Sequence, residues 1–354
     1  MGKEISKKEL DLIVQNKKLR QKLAYEDPLW FFLIYMRKYM EFPLAPFQKD
    51  MFKLLRDSRN KLITIMAFRN SGKSTIMNTT NTLWSILGTR QNKFIVIVGQ
   101  TQEQAKTHFA NIKEELEHNP LLKEDFGPFH GNESVWKKLS LELEYHGSKI
   151  VCVSREQSVR GFKYGANRPD LIICDDLEDS FSFEDKKISE NMYNRFVSEI
   201  LPLGNEDTRI IVLGNLISGD SLLVKLKEQI KEKKMNGIFR AYPLLDDNEK
   251  IMWLEKFKTM ANIGKLKKTI SDEAVWKREY LLTIGENRVI NIIKNYDNSE
   301  NIEVKKQNKK IRQKKEKADR IHAGLLGYHI SVPTVNDTNL KTIVINNSNR
   351  NVFE

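Results

Sequence analysis

The stretch from Lys61 to Thr75, KLITIMAFRNSGKST, decides how the rest of the chain is read. A β-branched, apolar run stops at a loop ending in Gly-Lys-Ser, and the residues that follow, TIMNTTNTLWSIL, suit a helix. Strand, loop and helix in that order are the setting in which Gly-x4-Gly-Lys-[Ser/Thr] wraps phosphates. Backbone N–H groups converge at a helix N-terminus, Lys73 reaches the β/γ-phosphates, and Ser74 offers a hydroxyl to Mg²⁺. Ala67 stands where this pattern has its first glycine. Gly72 matters more, because the backbone must pass close to phosphate there, and the first position tolerates a small residue if its φ stays negative. Ala67, Phe68, Arg69, Asn70, Ser71, Gly72, Lys73, Ser74 and Thr75 are therefore candidate nucleotide-binding residues, with ATP and Mg²⁺ as the candidate cofactors.

Further along, DLIICDD (170–176) is an apolar strand ending in acids. Asp175 at the end of such a strand holds the Mg²⁺ shell opposite Ser74. A hydrolase also needs a group that orients the attacking water. Asp176, directly after the magnesium aspartate, is the first candidate; Glu178, with a longer reach, is the alternative. Gln48 in APFQKDMF precedes the loop where nucleic-acid motors place a glutamine against adenine, and it reads equally well as a surface residue. Asn215, closing VLGN (212–215), is placed to sense the γ-phosphate; the bland reading is a strand-ending turn. Arg160, in SVRGFKYGANRPD, sits before the acidic strand and is a candidate to stabilise transition-state charge, in cis or on a neighbouring subunit. A surface basic loop is the competing reading. Arg69 lies inside the phosphate loop, so its side chain must be near the nucleotide.

Around these motifs the chain alternates. KFIVIVGQ (93–100), LIICDD (171–176) and RIIVLGN (209–215) join KLITIMAF (61–68) as short runs suited to strands buried on both faces of a parallel sheet. Helix patterns occupy 74–87 and 102–117, and LSLELEYHGSKIVCV alternates like a hairpin turning at His146-Gly147. The fold class is α/β with a mainly parallel central sheet flanked by helices. Residues 6–24 read as one amphipathic helix, followed by an aromatic cluster at Trp30, Phe31 and Phe32 expected to pack onto a neighbouring domain, with a partner-docking surface as the alternative. The expected organisation is an N-terminal helical segment over 1–45, a P-loop ATPase core over 46–245, a helical subdomain over 246–290 and a basic tail over 291–354. Residues 305–320 hold nine Lys or Arg against Glu316 and Asp319, a net of +7, suited to a solvated linker or a nucleic-acid contact.

Composition narrows the function. The 354 residues carry a formal net charge of +12 and a pI near 9.4, which favours polyanionic partners, nucleic acid before membrane. Cys152 and Cys174 lie in apolar runs and read as reduced core residues, and the six histidines show no metal-ligand spacing. The longest apolar run, Leu29 to Met36, is far short of the roughly 20 residues needed to span a bilayer. A soluble intracellular chain is expected.

The set PFQKDMF, FRNSGKST, VGQTQEQAKTHF, SVRGFKYGANRPDLIICDDLED, VLGNLISGDSLL and WKREYLL resembles, in order and spacing, the large terminase subunit of tailed bacteriophages. The resemblance covers roughly residues 25–290. It implies an ASCE (RecA-like) P-loop ATPase that pumps double-stranded DNA through a portal in the host cytoplasm, as a homo-oligomeric ring working with the phage portal and a small terminase subunit. It also implies a following nuclease with two metal ions. Here His329 stands where the first metal aspartate is expected and Asp337 is a lone acid, so no nuclease activity is expected of this chain. The alternatives are a helicase-like ATPase of the same class, or a nucleotide-binding remnant without catalysis.

Overall fold

The computed structural model of the protein describes residues 6–130, 136, 139–178, 186–284, 287–288 and 296–297. The basic run 305–320, His329, Asp337 and the expected tail from 298 onward lie outside the described residues. The chain divides into two compact units. One comprises Asn16–Asn298, the other Met1–Gln15 with Ser299–Glu354.

Of the second unit the described element is α1 (Lys7–Gln15). Ser6 and Glu9 form a reciprocal cap at its start: Glu9 N donates to Ser6 Oγ at 3.2 Å and Ser6 N to Glu9 Oε2 at 2.7 Å. The single helix expected over 6–24 is in fact two. The break falls at Asn16, whose side-chain oxygen accepts from Leu19 N and caps α2 (Lys17–Glu26). Asparagine competes with the helix ladder for its neighbours' N–H groups and so starts a new helix instead of continuing one.

The larger unit is built on a mostly parallel sheet. Before it come α3 (Pro28–Tyr35) and α4 (Pro46–Arg56), each with proline in the first turn, where its missing N–H costs nothing. The aromatic cluster does pack onto neighbours. Phe32 meets Phe52 of α4 at 5.3 Å between ring centroids, and Phe31 meets Phe126 at 6.3 Å. The strands are β1 (Leu62–Ala67), β2 (Phe94–Gly99), β3 (Ser140–Leu143), β4 (Ser148–Ser154), β5 (Leu171–Asp175), β6 (Arg209–Gly214) and β7 (Ile238–Tyr242). Between them lie α5 (Asn81–Leu87), α6 (Gln102–His118), α7 (Pro120–Phe126), α8 (Lys186–Arg195) and α9 (Leu222–Lys231). After β7 come α10 (Met260–Ile270), α11 (Glu273–Val275) and the two-residue strands β8 (Thr283–Ile284), β9 (Asn287–Arg288) and β10 (Tyr296–Asp297).

Among the described residues the sheet order is β10-β7-β1-β6-β5-β2-β4-β3, with β8 and β9 paired apart. The pairs from β7 through β4 are parallel; the β3–β4 hairpin and β10 on β7 are antiparallel. Every residue of β1, β2, β5 and β6 is buried, as continuous apolar runs between two helical layers require. The hairpin turns where expected, with Gly147 at φ +57°. One central strand had no sequence counterpart. β7, IFRAY, is short and carries Arg240, yet it flanks β1 directly. β6 lies between β1 and β5, so the phosphate-loop strand and the acidic strand have one strand between them.

A buried charge cluster ties the helical layer together. The wholly buried Asp125 carboxylate of α7 accepts Arg20 Nε at 2.7 Å, Arg20 Nη2 at 2.7 Å and Tyr35 Oη at 2.7 Å, joining α2, α3 and α7. Replacing Asp125 with Ala removes two charge-assisted bonds of the buried Arg20 guanidinium and leaves it on the half-exposed Glu124 at 2.9 Å. Denaturant unfolding of Asp125→Ala is expected to show a loss of about 3–5 kcal/mol, and a loss below about 1 kcal/mol would mean the cluster does not hold these helices.

Candidate active site

Parallel strands bring their carboxyl ends to one edge, and in open α/β sheets ligand sites form there, where the strand order reverses. At this edge the chain leaves β1 into the phosphate loop, β5 into Asp175 and Asp176, and β6 into Asn215. Ala67 is the last residue of β1, paired in parallel with Tyr242, and its φ is not positive. The left-handed positions fall later, at Asn70 (φ +63°) and Gly72 (φ +84°). An alanine at the first position therefore costs nothing, and the indispensable glycine is Gly72. A Cβ on Gly72 would also come within 3.0 Å of Gln48 Nε2.

The loop is braced from three sides. Phe68 N donates to Tyr242 O at 2.9 Å, which gives the unforeseen β7 its part in the site. Phe68 is fully buried and meets Phe47 edge-on at 5.5 Å. The surface reading of Gln48 does not hold. The residue is buried, accepts Ala45 N at 2.9 Å and donates through Nε2 to Ser71 O at 2.8 Å, so its amide holds the loop. Arg69 N donates to Glu279 O at 3.1 Å, and Arg69 Nε pairs with the Glu279 carboxylate at 2.5 Å. The Arg69 side chain is 57% exposed, and that of Glu279 is buried. Asn70 O accepts Lys256 Nζ at 3.3 Å.

Within the cradle Lys73 is buried, and its ammonium donates to Asn215 Oδ1 at 2.6 Å and lies 3.4 Å from Asp176 Oδ2. Ser74 Oγ donates to Asp175 Oδ1 at 3.1 Å, so the hydroxyl and the carboxylate expected to share a metal are adjacent. Asp175 is fully buried; its other oxygen accepts Asn78 Nδ2 at 3.2 Å and lies 3.7 Å from His108 Nε2. From Thr75 to Thr80 the helix widens into a π turn before α5, with Thr80 Oγ1 donating to Thr75 O. Such bulges recur at functional sites.

The two candidate acids part company. Asp176 takes up φ +49°, its N–H donates to Leu213 O at 2.9 Å, and its carboxylate faces Lys73. Burial raises its pKa, with Asp175 adding to the effect and Lys73 opposing it. Glu178 faces the amino end of α9, where Leu222 N donates to its Oε2 at 2.8 Å and Ser189 Oγ to its Oε1 at 3.4 Å. It caps a helix whose own Ser221 provides no side-chain cap. Burial pushes the Glu178 pKa up to about 7. Arg160 does not join the cluster. Its side chain is 68% exposed and pairs with Glu199 at 3.4 Å.

Asn78, His108 and Glu279 entered the site unannounced. Asn78 was findable, since it sits one helical turn beyond Ser74 and shares its face. His108 and Glu279 come from distant elements; they lie inside VGQTQEQAKTHF and WKREYLL, but nothing in those stretches singles out either residue for the site. Both cysteines are buried and their thiol pKa values are raised by burial, in keeping with core residues. Among the described residues no helix is long and apolar enough to cross a membrane.

Glu178 sets a measurable pH dependence. Its folded pKa lies above the usual 4.5, so the folded state binds the extra proton and stability falls as pH rises from about 4.5 through about 7. Glu178→Gln removes that titration. Between pH 5 and pH 8 the wild type should lose on the order of 2 kcal/mol relative to the variant in denaturant unfolding, and parallel pH profiles would refute the assignment.

No protein-family model and no curated protein matches the chain. Several solved structures do. The large terminase of bacteriophage HK97 is 18% identical with a TM-score of 0.45, over 67% of this chain and 49% of that one. The large terminase ATPase domain of Thermus phage P74-26 is 16% identical with a TM-score of 0.44, over 66% of this chain and 90% of that one. The chain is thus similar to phage terminase ATPase domains over about two thirds of its length, and the matched region spans about half of the HK97 protein.

Proposed function

We propose that this chain is an ATPase subunit of a viral DNA-packaging motor, coupling Mg-ATP hydrolysis to translocation of double-stranded DNA. The observation that carries the reading is the convergence of Lys73, Asn215 and Asp176 on one side of the loop and of Ser74 and Asp175 on the other. The donor set suits a hard cation: a hydroxyl and a carboxylate, with Asp175 fully buried. Ser74 and Asp175 would hold Mg²⁺, which supplies charge neutralisation at the β/γ-phosphates.

The remaining roles belong to side chains. Lys73 exchanges Asn215 and Asp176 for phosphate oxygens. Asp176, freed from the ammonium, orients a water and takes up its proton as the oxygen bonds to the γ-phosphorus and the bond to ADP breaks. Asn215, at the end of β6, meets the γ-phosphate and reports its loss. Arg69 turns from Glu279 toward the phosphates. Gln48 keeps the loop in register, and Arg160 serves a neighbouring subunit of a ring. Glu178 stays a structural cap. The chain's +12 charge supports duplex DNA as the polyanion, with the portal and a small terminase subunit as assembly partners in the host cytoplasm.

The test is steady-state ATP hydrolysis with and without linear duplex DNA. Hydrolysis stimulated by DNA is expected, and Lys73→Ala should lower it by about a hundredfold or more with the circular dichroism spectrum unchanged. Hydrolysis near the wild-type rate in Lys73→Ala would sink the assignment.

A further inference from the structure

The sheet has a second polar edge. At the amino ends of β1, β5 and β6, opposite the phosphate loop, lies a recess of about 190 Å³ lined by Lys61, Arg90, Arg209, Asp170, Asp207 and Ser85, among others. Two of its three cations are guanidiniums held in unusual company. Arg90 Nη2 donates to Leu55 O at 2.6 Å, and Arg209 Nη1 donates to the same oxygen at 2.8 Å. Arg209 Nη2 bonds Leu54 O, and Arg90 Nη2 also reaches Asp57 O at 3.4 Å. Both side chains therefore sit on the last carbonyls of α4, which a helix C-terminus leaves unpaired.

Neutral carbonyls do not neutralise two cations. The Nε atoms of both arginines are buried and have no hydrogen-bond partner. Neither guanidinium has a carboxylate ion pair among the described residues. The nearest acid influence, Asp57, is itself paired with Arg59 at 2.5 Å. Neither acid lining the recess is paired with Arg90 or Arg209. Asp170 Oδ2 accepts Lys93 N at 2.6 Å and Phe94 N at 2.9 Å, and Asp207 pairs with Lys61 at 3.3 Å. Arg209 is 5% exposed, and burial, then the neighbouring Arg90, push its pKa down to about 9. Like charges brought together in a low-dielectric setting are costly unless an anion joins them.

We propose that this recess binds a small tetrahedral oxyanion of the phosphate class, held by Arg90, Arg209 and Lys61, at a site separate from the nucleotide loop. The recess has room for such an ion, and Lys61, half exposed at its mouth, can swing from Asp207 to complete a three-cation set. Planar guanidiniums are suited to oxyanions, whose oxygens accept several charge-assisted donors at once. The proposal does not depend on the reading of the carboxyl edge as an ATPase.

The experiment titrates inorganic phosphate into the full chain by calorimetry, at ionic strength matched with chloride, and follows Tm in parallel. Because the nucleotide loop also attracts phosphate, Lys73→Ala is run beside the wild type, and Lys61→Gln and Arg90→Gln beside both. A phosphate isotherm that survives Lys73→Ala, and weakens roughly tenfold or more in Lys61→Gln and in Arg90→Gln, is the expected result. Lys61 is exposed enough that its substitution leaves the fold intact, so a failure of Arg90→Gln to fold does not blunt the test. Absence of binding in the wild type, or binding that disappears with Lys73→Ala and ignores Lys61→Gln, would overturn the proposal. Competition with a short duplex identifies the source of the group. Displacement with the same variant dependence makes it a backbone phosphate, and no displacement makes it the free ion.

Discussion

A lysine ammonium buried at the end of a strand must be met by acceptors, and the carboxyl edge of this sheet is arranged around that need. Lys73 reaches it from β1, Asn215 arrives on β6 and Asp176 follows β5. The three meet only because β6 is inserted between the other two strands. With β1 and β5 adjacent, no Asn215 would lie between the lysine and the acid. Strand order, more than any single contact, is what turns three sequence-distant residues into one electrostatic unit. Asp176 reaches its place at the cost of a left-handed backbone, a strain of the kind that collects at functional sites.

The loop around that lysine is held largely through its own backbone atoms. Tyr242 O, Glu279 O and the Gln48 amide fix Phe68, Arg69 and Ser71 in turn. This places residues from before the loop, from β7 and from the segment after α11 in contact with one turn. A shift in that later segment is therefore felt at Arg69, which shares both a hydrogen bond and an ion pair with Glu279. The opposite edge has the same economy of strands but a different chemistry. There the amino ends present Lys61 and Arg209, with charge that protein groups leave partly unmet.

Much of this was legible because the decisive signals are local. KLITIMAF, KFIVIVGQ, LIICDD and RIIVLGN are continuous apolar runs that only a doubly covered sheet can bury, and all four are strands. The Ser74 and Asp175 pair followed from strand ends, and the two side chains do touch. What escaped the sequence was set by tertiary context. IFRAY is too short and too charged at Arg240 to stand out, and it became a strand because β1 offered it an edge. Asn16 split a helix that periodicity alone ran together. Gln48 was weighed as adenine contact or surface residue; the surface reading fails, because Phe47 and Met51 beside it bury the helix face that carries it, and its amide holds the loop. Glu178 and Asp176 are two residues apart, and only the position of α9 shows that one faces a helix end and the other the lysine.

Whether Ser74 and Asp175 together hold Mg²⁺ beside a nucleotide decides how the carboxyl edge works. The most direct measurement is the affinity of the chain for a non-hydrolysable ATP analogue, titrated with and without Mg²⁺, in the wild type and in Asp175→Asn. Mg²⁺ should strengthen binding in the wild type, and that dependence should be largely lost in Asp175→Asn while metal-free binding persists through the loop and Lys73. Identical Mg²⁺ dependence in the two proteins would contradict Mg²⁺ binding by Ser74 and Asp175.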